Sequence, residues 1–225
     1  MRKQYEAEIV DGLDEIAQVE IETLINHQGR ISRKNPESGI SFRYEADPRN
    51  LFQLQTVIAV YEVLSFDIPR PKALLGHQHL QRLLTTIAEI RDLHPEDAFQ
   101  SFHIGAAGSG TSVMRRIQAE LAQELSLPYH RYEGDLLLRI RRPPEDANGW
   151  QVLIRLTPRP LATRPWRVCN MKGALNASVA QAMIRLLQPS SADAFLNLAS
   201  GSATLLIERA AWGSANQIVG YELDD

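Results

Sequence analysis

The chain has 225 residues, 44% of them hydrophobic, with a formal net charge of −3. That size and apolar content support one large domain or two small ones with a sizeable core, and the near-neutral charge excludes a global basic field of the kind that coats nucleic acid or membrane. The single cysteine, Cys169, excludes an intrachain disulfide, no stretch reaches the ~20 apolar residues of a membrane span, and Met1 to Glu8 lacks the apolar core of a signal peptide, so a cytoplasmic protein is expected.

Tyr5 to Val10 alternates as a short strand does. Gly12-Leu13-Asp14-Glu15 opens a helix predicted to run to about Asn26, with Leu13, Ile16, Ala17, Leu24 and Ile25 near one face. Gly39 to Tyr44 alternates Ile40, Phe42 and Tyr44 as a half-buried strand. Asp47-Pro48 joins a cap to a proline at the first helical position, which starts a short helix. Val57 to Phe66 is β-branched and aromatic, hence a strand, and Pro69-Arg70-Pro71 closes an α+β region over residues 1–70.

The region 71–160 opens with a helix from about His79 to Leu93, bounded by Pro95, with Leu80, Leu83, Leu84, Ile87 and Ile90 inward. Ala98 to Ile104 is a strand candidate. The loop from Gly105 to Thr111 imitates a phosphate loop, but no lysine follows Gly110, so it reads as a flexible connection. A helix from Thr111 or Ser112 to Leu125 turns Val113, Met114, Ile117, Leu121 and Leu125 inward and Arg115 and Arg116 elsewhere. Asp135 to Arg141 and Trp150 to Leu156 form an antiparallel pair around Pro143-Pro144.

Charge is uneven along this stretch. Arg131, Arg139, Arg141, Arg142, Arg155, Arg159, Arg164 and Arg167 face only Glu133, Asp135, Glu145 and Asp146. Two readings stay open: a solvated hairpin surface, or guanidinium forks aimed at phosphates. The same choice holds for Arg115 and Arg116. His77 and His79 lack a third ligand at credible spacing, so no metal site is expected. Cys169 reads as a structural thiol, and Trp166 as an anchor for its loop or a stacking surface.

After a helix from Ala174 to Leu187, Ala194 to Ala199 is apolar and Ser200-Gly201-Ser202 is a small-residue turn. Leu205, Leu206, Ala210 and Ala211 are spaced for one buried helix face, and Gly213 stands at the helix stop. A second apolar run, Gln217 to Tyr221, closes on Glu222, Asp224 and Asp225. Strand, tight turn, helix, strand and acid is the opening unit of a nucleotide-binding parallel sheet. The turn needs small residues so that backbone N–H groups reach a ligand, and the acid lies where it can take both hydroxyls of a ribose.

Leu161 to Arg167, Gly173 to Ala180 and Asn197 to Glu208 together resemble the THUMP-containing class I RNA methyltransferases; Gly12 to Glu15 resembles the Gly-Leu-Glu turn near the start of such proteins. The resemblance implies mixed α/β and α+β architecture: a ferredoxin-like region, a THUMP-like RNA-binding region, then over residues 161–225 a linker and the start of a Rossmann-like methyltransferase sheet. It implies S-adenosylmethionine as cofactor, transfer RNA or ribosomal RNA as partner, and a base amine, commonly guanine N2, as acceptor. On these positions, Ala174 and Asn176 wall the methionine end of the cofactor. Asn197, Ala199, Ser200, Gly201, Ser202 and Thr204 form its turn, and Glu222 holds its ribose. RNA contacts fall to Arg115, Arg116, Arg142, Arg164 and Arg167.

Asn197 stands where the family has Asp, Ser200 where it has Cys, and Ala203 where it has a last Gly. The changes at Asn197 and Ala203 are expected to weaken cofactor binding. The family's catalytic tetrapeptide, Asp or Asn followed by Pro-Pro and an aromatic residue, does not occur, so no catalytic residue is assigned and the chain reads as cut after the second strand of the methylase sheet. Two alternatives follow: a non-catalytic RNA-binding module with a methylase remnant, or a DNA amino-methylase, which shares the turn.

Overall fold

A computed structural model describes residues 3–35, 39–144, 148–168 and 171–223, with the side chains of 33–35 left aside. In chain order the elements are β1 (Lys3–Glu8), α1 (Asp14–Ile25), β2 (Gly29–Asn35), β3 (Gly39–Tyr44), β4 (Ala59–Phe66), α2 (His77–Arg91), β5 (Phe102–Ala106), α3 (Ser112–Leu125), β6 (Leu136–Arg141) and β7 (Trp150–Arg155). Then come α4 (Ala177–Leu187), β8 (Ala194–Asn197), α5 (Thr204–Trp212) and β9 (Gln217–Gly220).

Strands β1 to β7 form one sheet in the order β2-β3-β1-β4-β7-β6-β5, antiparallel throughout except for the parallel pair β5–β6. The parallel pair needs a crossover, and α3 supplies it. Alternation sends Tyr5, Ala7, Ile40, Phe42 and Leu138 to one face, where Ala17 and Ile21 of α1, Leu83 and Ile87 of α2, and Ile117 and Leu121 of α3 complete a single core. On the opposite face Ala59, Tyr61, Val63 and Leu153 make a smaller cluster. Its neighbours are ion pairs. Arg139 lies 4.6 Å over the Tyr61 ring and reaches Glu8 at 2.9 and 3.0 Å, while Arg141 reaches Glu6 at 2.9 and 2.6 Å.

Several expectations shift. The edge strand β2 is unforeseen, because Gly29 to Asn35 shows only Ile31 as a strong apolar signal. β5 starts at Phe102, since the Asp135 carboxylate takes the Gln100 N–H at 3.0 Å and holds the preceding residues in a turn. The proposed boundary at residue 70 does not interrupt the sheet, because β4 pairs along its length with β7, Tyr61 opposite Arg155 through Phe66 opposite Trp150. Among the described residues no helix is long and apolar enough to cross a membrane, and no group of His, Cys, Asp and Glu is arranged to hold a metal ion.

β8 and β9 form a separate parallel pair joined through α5. The expected inward face of α5 is corrected: Thr204, Glu208 and Arg209 are buried, whereas Ala210 and Ala211 are exposed and Leu205 and Leu206 only half-covered. The polar stripe turns inward because Thr204, Glu208 and Arg209 each meet hydrogen-bond partners there, although Arg209 Nε itself has none. Arg209, fully buried, donates to the carbonyls of Ser190, Gly213 and Ser214 at 2.9, 2.9 and 3.2 Å and ties the entry of β8 to the exit of α5.

Candidate functional site

The turn between β8 and α5 is built by its own polar groups. Asn197 Oδ1 accepts the Ala199 N–H at 3.3 Å, and its backbone carbonyl accepts the Tyr221 N–H at 2.9 Å. The Ser200 N–H goes to the Tyr221 carbonyl at 2.9 Å, stitching the turn to the end of β9. The amide oxygen of Asn197 therefore organises the turn as a carboxylate oxygen would. Gly201 adopts φ +48°, and a Cβ built there would meet only Met171 Sδ, at 3.9 Å, so the approach to its backbone is open. The Glu222 carboxylate lies across the parallel pair and accepts the Gly201 N–H, with the Leu223 N–H at 2.9 Å. Turn, helix end and acid thus converge, as the sequence spacing implies.

Ala203 sits at φ 58°, ψ 18° as the residue just before α5. This left-handed conformation disfavours any residue with a Cβ by about 1 kcal/mol, and it explains the glycine that the resembling family carries there. A residue that sequence reasoning missed is Gly220. A Cβ at that position would meet Leu206 Cδ1, the end of a flexible side chain, and lie 3.0 Å from Ser200 Cβ, so the turn and α5 pack closely on the strand end there. Its signal was available: a glycine at the tip of a strand just before the acid.

The linker reaches this turn from behind. An Arg167 terminal nitrogen donates to Thr204 Oγ1 at 2.7 Å and to the Leu175 carbonyl at 2.8 Å, bringing the segment before α4 against the first turn of α5. Ala174 closes a turn on the Met171 carbonyl at 3.0 Å. Asn176 caps α4, its Oδ1 accepting the Ser178 N–H at 2.8 Å. Ala174, Asn176, Asn197, Ala199, Ser200, Gly201, Ser202 and Glu222 are therefore in one neighbourhood. Thr204 departs from its expected role: it is buried, and its hydroxyl is shared between Arg167 and Ser202 Oγ, at 3.0 Å from the latter, so it holds the linker.

The arginines separate into two groups. Arg164 is buried, with Glu208, the Leu161 carbonyl and the Gln55 carbonyl at 2.7, 2.6 and 2.6 Å, which removes it from any RNA-facing surface. Arg167 is half-buried, its terminal nitrogen held by Leu175 and Thr204, and it borders the groove along the linker. Arg155 donates to the carbonyls of Thr157, Gly134, Asp135 and Pro158, and burial pushes its guanidinium below the usual arginine range. Arg115, Arg116, Arg131, Arg142 and Arg159 are exposed. Of these, Arg115 and Arg131 line a pocket of about 370 Å³ with Ser109, Gly110, Gln118 and Tyr129, at the glycine-rich loop that leads into α3. Arg142 lies 4.9 Å over the Trp150 ring. A groove of about 870 Å³ runs along the linker past Gln55, Arg159, Trp166, Arg167 and Glu208. Cys169, Glu145, Asp146, Asp224 and Asp225 lie outside the described residues.

Comparison with known proteins now bears on this arrangement. Residues 164–221 match the family described as UPF0020, the RMKL-like methyltransferase domain. The segment that carries the turn is methyltransferase-like. In three dimensions the chain is similar to TrmN from Thermus thermophilus, at 20% identity and a TM-score of 0.64 over 99% of this chain and 66% of that one. It is also similar to a protein of Listeria monocytogenes described as a predicted N6-adenine-specific DNA methylase, at 15% identity and TM-score 0.57, covering 95% of this chain and 56% of that one. A third relative in fold, SMU.472, was solved in complex with SAH, at 14% identity and TM-score 0.57 over 94% and 55%. The chain thus spans between about half and two thirds of the structures it resembles. No curated protein sequence matches it significantly.

Proposed function

We propose that this chain supplies the RNA-binding body and the cofactor turn of a cytoplasmic S-adenosylmethionine-dependent RNA methyltransferase, with guanine N2 of a transfer or ribosomal RNA as acceptor. Residues 1–160 are its ferredoxin-like and THUMP-like body, and 161–225 its linker and methylase opening. The observation that carries the reading is the meeting of the Glu222 carboxylate with the Gly201 N–H at the head of α5. A carboxylate held there can instead accept the two hydroxyls of a ribose, and the freed N–H at a positive helix end can face the ligand. The bound cofactor supplies a methyl already activated on a sulfonium, so the work of the protein is positioning. Asn197 fixes the turn, Gly201 lets the backbone come close, Ala174 and Asn176 border the methionine end, and Glu222 orients the sugar. Arg115, Arg116 and Arg142 contact phosphates, and the linker groove is the passage for the target strand. The Pro-Pro-aromatic tetrapeptide that holds the target amine in the resembling family is not among these 225 residues.

Calorimetry tests the cofactor half: S-adenosylmethionine should bind the parent chain, and Glu222→Ala should abolish the heat. Equal affinity in both would remove Glu222 and its turn from the reading. For RNA, affinity for a structured transfer RNA should fall with salt, and Arg115→Ala with Arg116→Ala should flatten that dependence. The absent tetrapeptide favours one second reading, an RNA-binding module without chemistry; methyl incorporation into RNA from labelled cofactor separates the two. Preference for duplex DNA over RNA would point to an amino-methylase of DNA instead.

A further inference from the structure

The edge hairpin of the sheet carries a charge arrangement that folding alone does not favour. Arg30 of β2 and Arg43 of β3 are paired directly opposite each other, so both side chains stand on the same face, and both are exposed. Like charges facing across an antiparallel pair are destabilising. Neither has an ion-pair partner among the described residues. Together with His27, Gln28, Ser32 and Glu45 they line a pocket of about 540 Å³. The two strands and their turn bear Arg30, Arg33, Lys34 and Arg43 against Glu37 and Glu45, in a chain whose formal charge is −3.

Strand directions give this pair a context. Gly29 lies opposite Tyr44 and Lys3 opposite Tyr44, so β2 and β1 begin at the end where β3 finishes. Following the register across the sheet brings Phe66, Trp150 and Arg141 to that same end. Two more exposed arginines stand at that end, on the helix-covered side of the sheet rather than the side that Arg30 and Arg43 share. Arg82 lies 5.1 Å over the Phe66 ring, held by the Ser65 carbonyl at 2.9 Å, and Arg142 lies over Trp150. Stacking fixes a guanidinium plane while leaving its N–H edge free to donate. From β2 to β6 the strand order makes five steps, a row of about 24 Å. Glu45 and Asp67 also stand at this end, so the row is mixed in charge but dominated by arginine.

We propose that this rim, anchored by Arg30 and Arg43, is an RNA phosphate-binding track at the end of the sheet away from the cofactor turn. The separation follows from Gln55 and Val57, which precede β4 and contact the linker and α4 through their carbonyls, so the methylase segment docks at the opposite end. An anion between Arg30 and Arg43 would convert their repulsion into a bridged pair. The alternative is that these charges only guard an edge strand against pairing with other chains. The inference rests on RNA being the substrate.

The experiment measures binding of a structured transfer RNA from low to high salt for the parent, Arg30→Ala/Arg43→Ala, Arg30→Lys/Arg43→Lys and Arg115→Ala/Arg116→Ala. The alanine pair should lower the slope of log affinity against log salt by about 1.8, the equivalent of two released phosphate contacts, and the lysine pair should restore it. Thermal melting of the alanine pair without RNA should be no lower than the parent, which establishes that it folds. An unchanged slope in the alanine pair, with a reduced one in Arg115→Ala/Arg116→Ala, overturns the rim and leaves the RNA reading standing. No salt-dependent binding in the parent overturns both. Loss of binding to an acidic polypeptide in the alanine pair, with RNA affinity unmoved, overturns the rim in favour of a protein partner.

Discussion

Arg164 Nε lies 2.7 Å from Glu208 Oε1, and both side chains are buried, so one ion pair fastens the linker to the middle of α5. Arg164 also holds the Gln55 carbonyl at the entrance to β4. Removing the guanidinium strands a carboxylate in the interior, which costs on the order of 3 kcal/mol. Arg164→Ala should therefore lower the unfolding midpoint strongly, as thermal melting would show. Replacing both partners with apolar residues of similar volume should recover much of the loss, as denaturant titration would reveal.

Ala203→Gly should strengthen the cofactor turn. The left-handed Ala203 conformation is already present in the ligand-free turn, so its relief should stabilise the folded protein by up to about 1 kcal/mol and leave S-adenosylmethionine affinity nearly unchanged. Thermal melting of the two ligand-free proteins decides it, and an unchanged midpoint would show that the Ala203 backbone carries no such strain. Gly220→Ala should act in the opposite direction and mildly, because its methyl displaces the end of the Leu206 side chain and presses on Ser200 Cβ at 3.0 Å.

Glu20 is a buried carboxylate on α1 that accepts the Gln55 N–H at 3.0 Å, the Thr56 N–H at 2.8 Å and the Thr56 hydroxyl, while Arg185 of α4 reaches it at 2.6 Å. Glu20→Ala leaves two buried amides and a guanidinium without their acceptor. A destabilisation of about 3 kcal/mol is expected, together with loss of the α1–α4 contact detectable as faster amide exchange in α4.

Burial holds the Glu62 carboxyl above its usual value, against the opposing pull of Lys3 at 3.1 Å. Because the folded value is raised, the protonated form favours folding, and that contribution fades as pH rises through the folded value. Glu62→Gln should melt like the parent below the ordinary carboxylate range and above it at neutral pH. Coincident melting curves at both pH values would contradict this.

Much of the fold was legible because period and punctuation agreed. Thr111 caps α3 where a hydroxyl precedes an apolar 3.6 repeat, accepting the Met114 N–H at 3.4 Å, and Asp47-Pro48 starts its 3-10 turn with the Asp47 carboxylate on the Arg49 N–H. β2 was not legible because Ile31 is the one strong apolar signal along it, too little for an alternation to show. The burial of α5 was misread for a related reason: sequence periodicity finds apolar stripes, whereas Glu208 and Arg209 are interior through partners at Arg164 and at Ser190, far along the chain. The same distance hid the fate of the arginines. Composition locates an arginine-rich segment, but only the register reveals that Arg139 and Arg141 meet Glu8 and Glu6.

The pairing of β4 with β7 also sets an order of events during synthesis. β1, β3 and β4 can associate as soon as they emerge, yet one side of β4 keeps its main-chain donors and acceptors unmatched until Arg155 has been made. Through that interval the nascent chain presents a long apolar strand, Ala59 to Phe66, to anything nearby. Expression of residues 1–70 by themselves should give aggregates, whereas 1–160 should be the shortest piece recovered in soluble, folded form.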